Sequence, residues 1–133
     1  MTVKELQQLF YLERIIQHEK DRLDELRASV DLHSPGLSDM PKAPGAKDKL
    51  GDTVPKIVDQ ETEILKNIRL YSQTKERLLR YINGVPFVRI KMIMILRFIE
   101  QKSWQEVAEE IGGKETEYSV KKAVYRYLGE KMG

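Results

Sequence analysis

The sequence contains no cysteine and only two histidines. Disulfides and thiolate metal sites are therefore excluded, and neither His18 nor His33 has a partner at metal-ligand spacing. There is no Gly-Lys-Ser/Thr phosphate loop, and the neighbouring carboxylates Glu109 and Glu110 are typical of a solvated helix face rather than an acid/base pair. We expect no enzyme activity, no catalytic residues, no cofactor and no metal.

Long apolar runs are also missing. The longest, Met92–Leu96, has five residues, whereas a helix needs about 18 to cross a bilayer. No leader with a charged, an apolar and a small-residue region opens the chain. We therefore expect a cytoplasmic protein without membrane contact. The formal net charge is only +2, so any preference for nucleic acid must come from local charge.

Glycine and proline are absent between Thr2 and Leu32, which favours one long helix. Apolar residues with 3,4 spacing in this stretch predict a coiled-coil seam, interrupted by Glu19. This helix is expected to pack against another helix of the same chain, to form a dimer, or both. The seam residues are Leu9, Leu12, Ile16, Leu23, Leu26 and Val30.

Proline and glycine are concentrated in the following segment, which predicts a connecting loop over residues 34–52. A second long helix is predicted from Thr53, as its N-cap, to Asn83, with an apolar seam that places Lys75 opposite Glu19. Residues 1–83 are thus expected to form an antiparallel helical hairpin that serves oligomerisation. The second seam contains Ile57, Ile64, Ile68, Tyr71, Leu78 and Ile82.

Residues 84–133 are predicted to form a helix-turn-helix domain, so the whole chain is all-α. A helix over residues 87–101 precedes the motif, with a core formed by Phe87, Ile90, Met94, Ile95, Phe98 and Ile99. Ser103 and Glu106 then have the spacing of a capping box, and Gly112-Gly113 ends the helix that they begin. Its apolar face comprises Trp104, Val107, Ala108 and Ile111.

The second helix of the motif is predicted over residues 119–131, with Val120, Val124, Tyr127 and Leu128 facing inward. Residues 119–133 hold four Lys/Arg against one Glu, whereas residues 103–117 hold one Lys against five Glu. The charge is therefore sorted between the two helices, as a helix that approaches phosphate requires. The outward face carries Lys121, Lys122, Tyr125 and Arg126.

The segments Leu96–Ile99, Lys102–Ala108, Ile111-Gly112 and Ser119–Lys121 resemble region 4 of bacterial sigma factors. They resemble still more closely the small phage-encoded regulators of Gram-positive bacteria, the group that includes the ArpU and RinA late-gene activators. A Leu-Ser-x-Met-Pro stretch at residues 37–41 and an Asp-x-x-x-Lys-Ile-Val-Asp stretch at residues 52–59 extend the similarity over nearly the full length. The predicted connection over residues 113–118 is longer than the standard turn.

This resemblance implies a phage or prophage transcriptional regulator that reads the major groove of double-stranded DNA with its second helix. Homodimerisation through the N-terminal helices is expected, and host RNA polymerase is a further candidate partner. Two alternatives stay open: an adaptor that binds host transcription machinery without reading DNA, and a packaging subunit similar to a small terminase. The expected DNA-binding residues are Lys102, Ser103, Tyr118, Ser119, Lys121, Lys122, Tyr125 and Arg126.

Overall fold

The computed structural model describes residues 1–32 and 44–132. Within them all regular structure is helical, which confirms the all-α prediction. No helix in these ranges combines the length and the apolar character that a bilayer span needs. The helices are α1 (Val3–Leu6), α2 (Gln8–Leu32), α3 (Pro44–Asn83), α4 (Val88–Met94), α5 (Trp104–Ile111) and α6 (Glu117–Leu128), and a π-helical turn (Ile95–Ile99) follows α4.

The chain divides into two compact units, Arg14–Leu70 and Met1–Glu13 with Tyr71–Gly133. In the first, α2 and α3 form the predicted antiparallel hairpin, because Glu19 pairs with Asn67 while the later Arg27 pairs with the earlier Glu61. The expected pairing of Glu19 with Lys75 is wrong. Asn67 lies about two turns before Lys75, and its amide Nδ2 donates to both oxygens of Glu19, at 2.8 and 3.0 Å. The buried seam residues of this unit are Ile16, Leu23 and Ile64.

Helix α3 begins earlier than predicted. Residues 44–52, which the sequence predicts as part of the loop, are helical, whereas the rest of the predicted loop lies outside the described residues. Thr53 is consequently not an N-cap, and Pro55 lies inside the helix. Proline suits the first turn of a helix, and Pro44 rather than Pro55 occupies that position in α3.

The second unit contains one apolar core. Residues from the start of α2 and the end of α3, such as Leu9 and Leu78, pack in it with residues of the C-terminal helices. The backbone N–H of Val3 also donates to both carboxylate oxygens of Glu130, at 3.3 and 3.2 Å. The chain's first residues are thus fixed to the segment after α6. The fully buried side chains are Leu6, Leu9, Leu78, Ile82, Ile93, Met94, Leu96, Val107, Val120 and Val124.

The helix predicted over residues 87–101 is shorter and changes type. Helix α4 passes into a π-helical turn, in which Glu100 N–H donates to Ile95 O, and Gln101 has a φ of 59°. Phe87, expected in the core, precedes α4 and is 57% exposed. Because this segment is apolar nearly all round, its sequence periodicity does not identify which residues face inward.

Candidate nucleic-acid interface

Helix α5 begins at the predicted capping box. Ser103 Oγ accepts from Glu106 N–H at 3.2 Å, and the Glu106 carboxylate accepts from Ser103 N–H at 3.4 Å. Trp104 and Val107 are buried as expected. The helix ends at Gly112, which has a φ of 78°, a backbone conformation that residues other than glycine rarely adopt. The predicted helix is therefore confirmed in its cap, in its main buried residues and in its end.

Helix α6 begins two residues before its predicted start. Thr116 is the N-cap: its Oγ1 accepts from Ser119 N–H at 3.1 Å, and Ser119 Oγ accepts from Thr116 N–H at 2.8 Å. Ser119 is therefore inside the first turn, and the connection shortens to residues 112–116. The helix ends at Leu128 rather than at Lys131, because Gly129 adopts a left-handed conformation.

The two sides of α6 differ sharply in exposure. Val120 and Val124 are fully buried, and they anchor the helix against the core. Lys122 and Arg126, one turn apart, are exposed on the other side. Among the described residues neither has an ion-pair partner. Two unneutralised cations thus lie on the outward face.

Tyrosines accompany the lysines of α6. The Lys122 ammonium lies 5.5 Å from the centroid of the Tyr118 ring, and Lys121 lies 5.8 Å from that of Tyr125. These cation–π contacts at i,i+4 spacing restrict both lysines while leaving their charge available. Tyr118 is 61% exposed, whereas Tyr125 is half-buried and packs against the core.

An open groove runs along the Tyr118–Lys122–Arg126 row of α6. The rest of the lining comes from other residues of α6 and from the segment at the start of α4, and the ring centroids of Phe87 and Tyr127 lie 5.9 Å apart there. The groove therefore combines basic and apolar residues. Its lining consists of Phe87, Arg89, Ile90, Tyr118, Ser119, Lys122, Ala123, Arg126 and Tyr127.

Arg89 is neutralised inside this groove. Its guanidinium forms a bidentate ion pair with Glu115, with the shortest distance, Nη2 to Oε2, at 2.8 Å. The hydrogen bond from Arg89 holds the pKa of Glu115 below its ordinary value. The sequence predicts no role for Arg89 and a solvated turn for Glu115, although an arginine between Val88 and Ile90 in an apolar stretch is a signal for a buried or paired cation.

Lys102 and Ser103, predicted to bind DNA at the start of α5, already interact with other residues of the chain. Lys102 Nζ forms an ion pair with Glu110, and this hydrogen bond raises the pKa of Lys102. Ser103 caps α5 as described above. Among the described residues, no hydrogen bond or ring contact joins either residue to α6. The structure therefore brings together Tyr118, Ser119, Lys122 and Arg126, and not all eight predicted residues.

Within residues 1–32 and 44–132, no group of three or more His, Asp or Glu side chains is arranged to hold a metal ion. Comparisons of the chain with protein-family models, with curated proteins and with solved structures found no match.

Proposed function

We propose that the chain is a DNA-binding transcriptional regulator of a phage or prophage, and that α6 (Glu117–Leu128) enters the major groove. One observation carries the proposal. The inward side of α6 is anchored by Val120 and Val124, while Lys122 and Arg126 are exposed on its outward side without acidic partners among the described residues. Arginine and lysine at such positions form the commonest specific contacts, to guanine.

In this proposal the residues divide by role. Lys122 and Arg126 contact base edges, while Lys121 and Tyr118 contact the phosphate backbone. Lys102, Ser103 and Ser119 contribute little, since Lys102 is paired with Glu110 and the two serines are engaged in capping boxes. The sequence resemblance to sigma region 4 and to phage late-gene activators supports the same assignment.

We further propose that the protein acts in the cytoplasm of a bacterial host as a homodimer formed through its N-terminal helices. The hairpin unit leaves aliphatic side chains exposed, including Ile15 of α2 at 45% and Leu65 of α3 at 64%. A second hairpin would bury such residues. Size measurement in solution tests this part, and a monomer at micromolar concentration would contradict it.

The test of DNA recognition is a selection from a random duplex library with the purified full chain at a fixed, stated salt concentration, because affinity without the salt concentration cannot be interpreted. The proposal predicts one enriched sequence family. Failure to enrich any sequence, together with no duplex binding at about 50 mM salt, would contradict it.

A second candidate function is an adaptor that binds a protein of the host transcription machinery. It is favoured by Phe87 and Val88, which are 57% and 81% exposed at the start of α4. A protein segment with acidic and apolar side chains would contact both the cations and the apolar residues of this groove, whereas a DNA backbone would contact the cations alone. Binding to purified RNA polymerase in the absence of DNA distinguishes this function from the first.

A further inference from the structure

Three arginine or lysine residues line the groove beside α6, but they are not equivalent. Lys122 and Arg126 have no ion-pair partner among the described residues, whereas Arg89 is held by Glu115 through three hydrogen bonds of 2.8 to 3.2 Å. Bidentate pairs of this kind are stronger and more directional than single contacts. The groove therefore contains one cation whose charge is internally compensated.

Glu115 is fixed from the other side as well. Its Oε2 accepts a hydrogen bond from Ser119 Oγ at 3.2 Å, and Ser119 belongs to the capping box that begins α6. The carboxylate thus joins Arg89 to the first turn of α6. A glutamate is ionised at neutral pH in any case, and the hydrogen bond from Arg89 lowers the pKa of Glu115 further, so the compensation of Arg89 persists there.

We infer that Glu115 is a specificity-determining residue, which withholds Arg89 from phosphate and so limits the affinity of the groove for arbitrary polyanions. Each phosphate that a cation neutralises adds affinity regardless of sequence. With Arg89 withheld, Lys122 and Arg126 contribute a larger share of the binding. This inference rests on the proposed function, because it concerns the same groove.

The test compares Glu115→Gln with Glu117→Gln, which removes the same charge from an exposed residue in the first turn of α6. Binding to an arbitrary duplex is measured over a range of salt concentrations, and elution from heparin is measured in parallel. E115Q is expected to steepen the slope of log affinity against log salt by about 0.9, which corresponds to roughly eightfold tighter binding at 0.1 M salt. E117Q is expected to change the slope by much less.

Variants of Arg89 are tested in the same binding measurements. Arg89→Gln alone leaves the Glu115 carboxylate unpaired beside the groove, so it is expected to weaken duplex binding and not to steepen the slope. In the double variant R89Q/E115Q, the gain seen with E115Q should disappear. Glu115→Asp keeps the charge but shortens the side chain, so a smaller gain in the same direction is expected, and this variant covers the case in which E115Q folds poorly.

An equal gain in E115Q and E117Q would overturn the inference, because the effect would then be one of total charge. A gain that persists in the double variant would also overturn it, because the gain would then not depend on Arg89. The heparin measurement separates this failure from that of the proposed function. If the wild-type chain binds no duplex, the proposed function is wrong, whereas the order of heparin elution still decides whether Glu115 restrains Arg89.

Discussion

The guanidinium carbon of Arg97 lies 4.8 Å from the centroid of the Trp104 ring, and Arg97 Nη1 donates a 2.9 Å hydrogen bond to the backbone oxygen of Lys102. Arg97 thus fixes the end of the π-helical turn against the start of α5. Burial lowers the pKa of Arg97, but an arginine stays charged in any case.

Replacing Arg97 with methionine should therefore destabilise the unit by about 1–3 kcal/mol, since it removes both a partly desolvated cation–π contact and a charged hydrogen bond. Urea unfolding followed by the fluorescence of Trp104 measures the change. Arg97→Lys retains the charge and should cost less. Equal stability of R97M and the wild type would show that the contact contributes nothing.

The start of α6 can be tested by comparing two substitutions. Thr116→Ala removes the N-cap side chain and should reduce the free energy of unfolding by about 0.5–2 kcal/mol. Ser119→Ala leaves the Thr116 cap bond to the residue 119 N–H in place, so it should cost less. If S119A is clearly the more damaging in urea unfolding, the start at Ser119 predicted from sequence is correct after all.

The ion pair between Arg89 and Glu115 predicts a pH dependence. Because Arg89 lowers the folded-state pKa of Glu115 below 4.5, the pair stabilises the fold fully above about pH 4.5, and this stabilisation is lost as the pH falls through the lower, folded-state pKa. Arg89→Gln should thus cost up to about 1 kcal/mol at neutral pH, since both partners are partly exposed, and progressively less in acid.

The control for this prediction is Arg80→Gln, which removes the exposed pair of Arg80 with Glu76. It should change stability little at any pH. Unfolding in urea between pH 3 and pH 7 provides both curves. A cost of R89Q that stays constant over this range would mean that the ion pair does not stabilise the fold.

Lys102 should contribute less to DNA binding than Lys122. Glu110 competes with phosphate for Lys102, whereas Lys122 contacts the Tyr118 ring and has no ion-pair partner among the described residues. Lys102→Ala is therefore expected to lower duplex affinity less than Lys122→Ala at the same salt concentration. Glu110→Gln serves as the complementary change, because it frees Lys102 and should tighten binding. The reverse order of the two alanine variants would restore Lys102 as a main contact.

Local signals in the sequence predicted much of this structure. The Ser103–Glu106 capping box, the buried face of α5 and the glycine that ends it all follow from interactions within a few residues, and they are confirmed. The buried positions Val120 and Val124 of α6 follow from helical periodicity in the same way. Such features depend little on the rest of the chain.

The errors arose where distant residues or weak local preferences decide the structure. Thr116 with Ser119 forms a capping box without the usual Glu or Gln at the third helical position. The pair of Glu19 with Asn67 depends on the hairpin register, which aliphatic packing sets, and not on charge complementarity alone. Arg89 and Glu115 are 26 residues apart in the chain, so the spacing of residues within one helix does not predict their ion pair.

The central claim is that the outward face of α6 binds duplex DNA, and one comparison of affinities tests it most directly. The double variant K122A/R126A is compared with K66A/R69A, which removes the same charge from exposed positions of α3. At fixed salt, the α6 variant should bind the selected duplex at least about thirtyfold more weakly, at about 1–3 kcal/mol per residue, while the α3 variant should bind nearly as the wild type does. Wild-type affinity of K122A/R126A would contradict the claim.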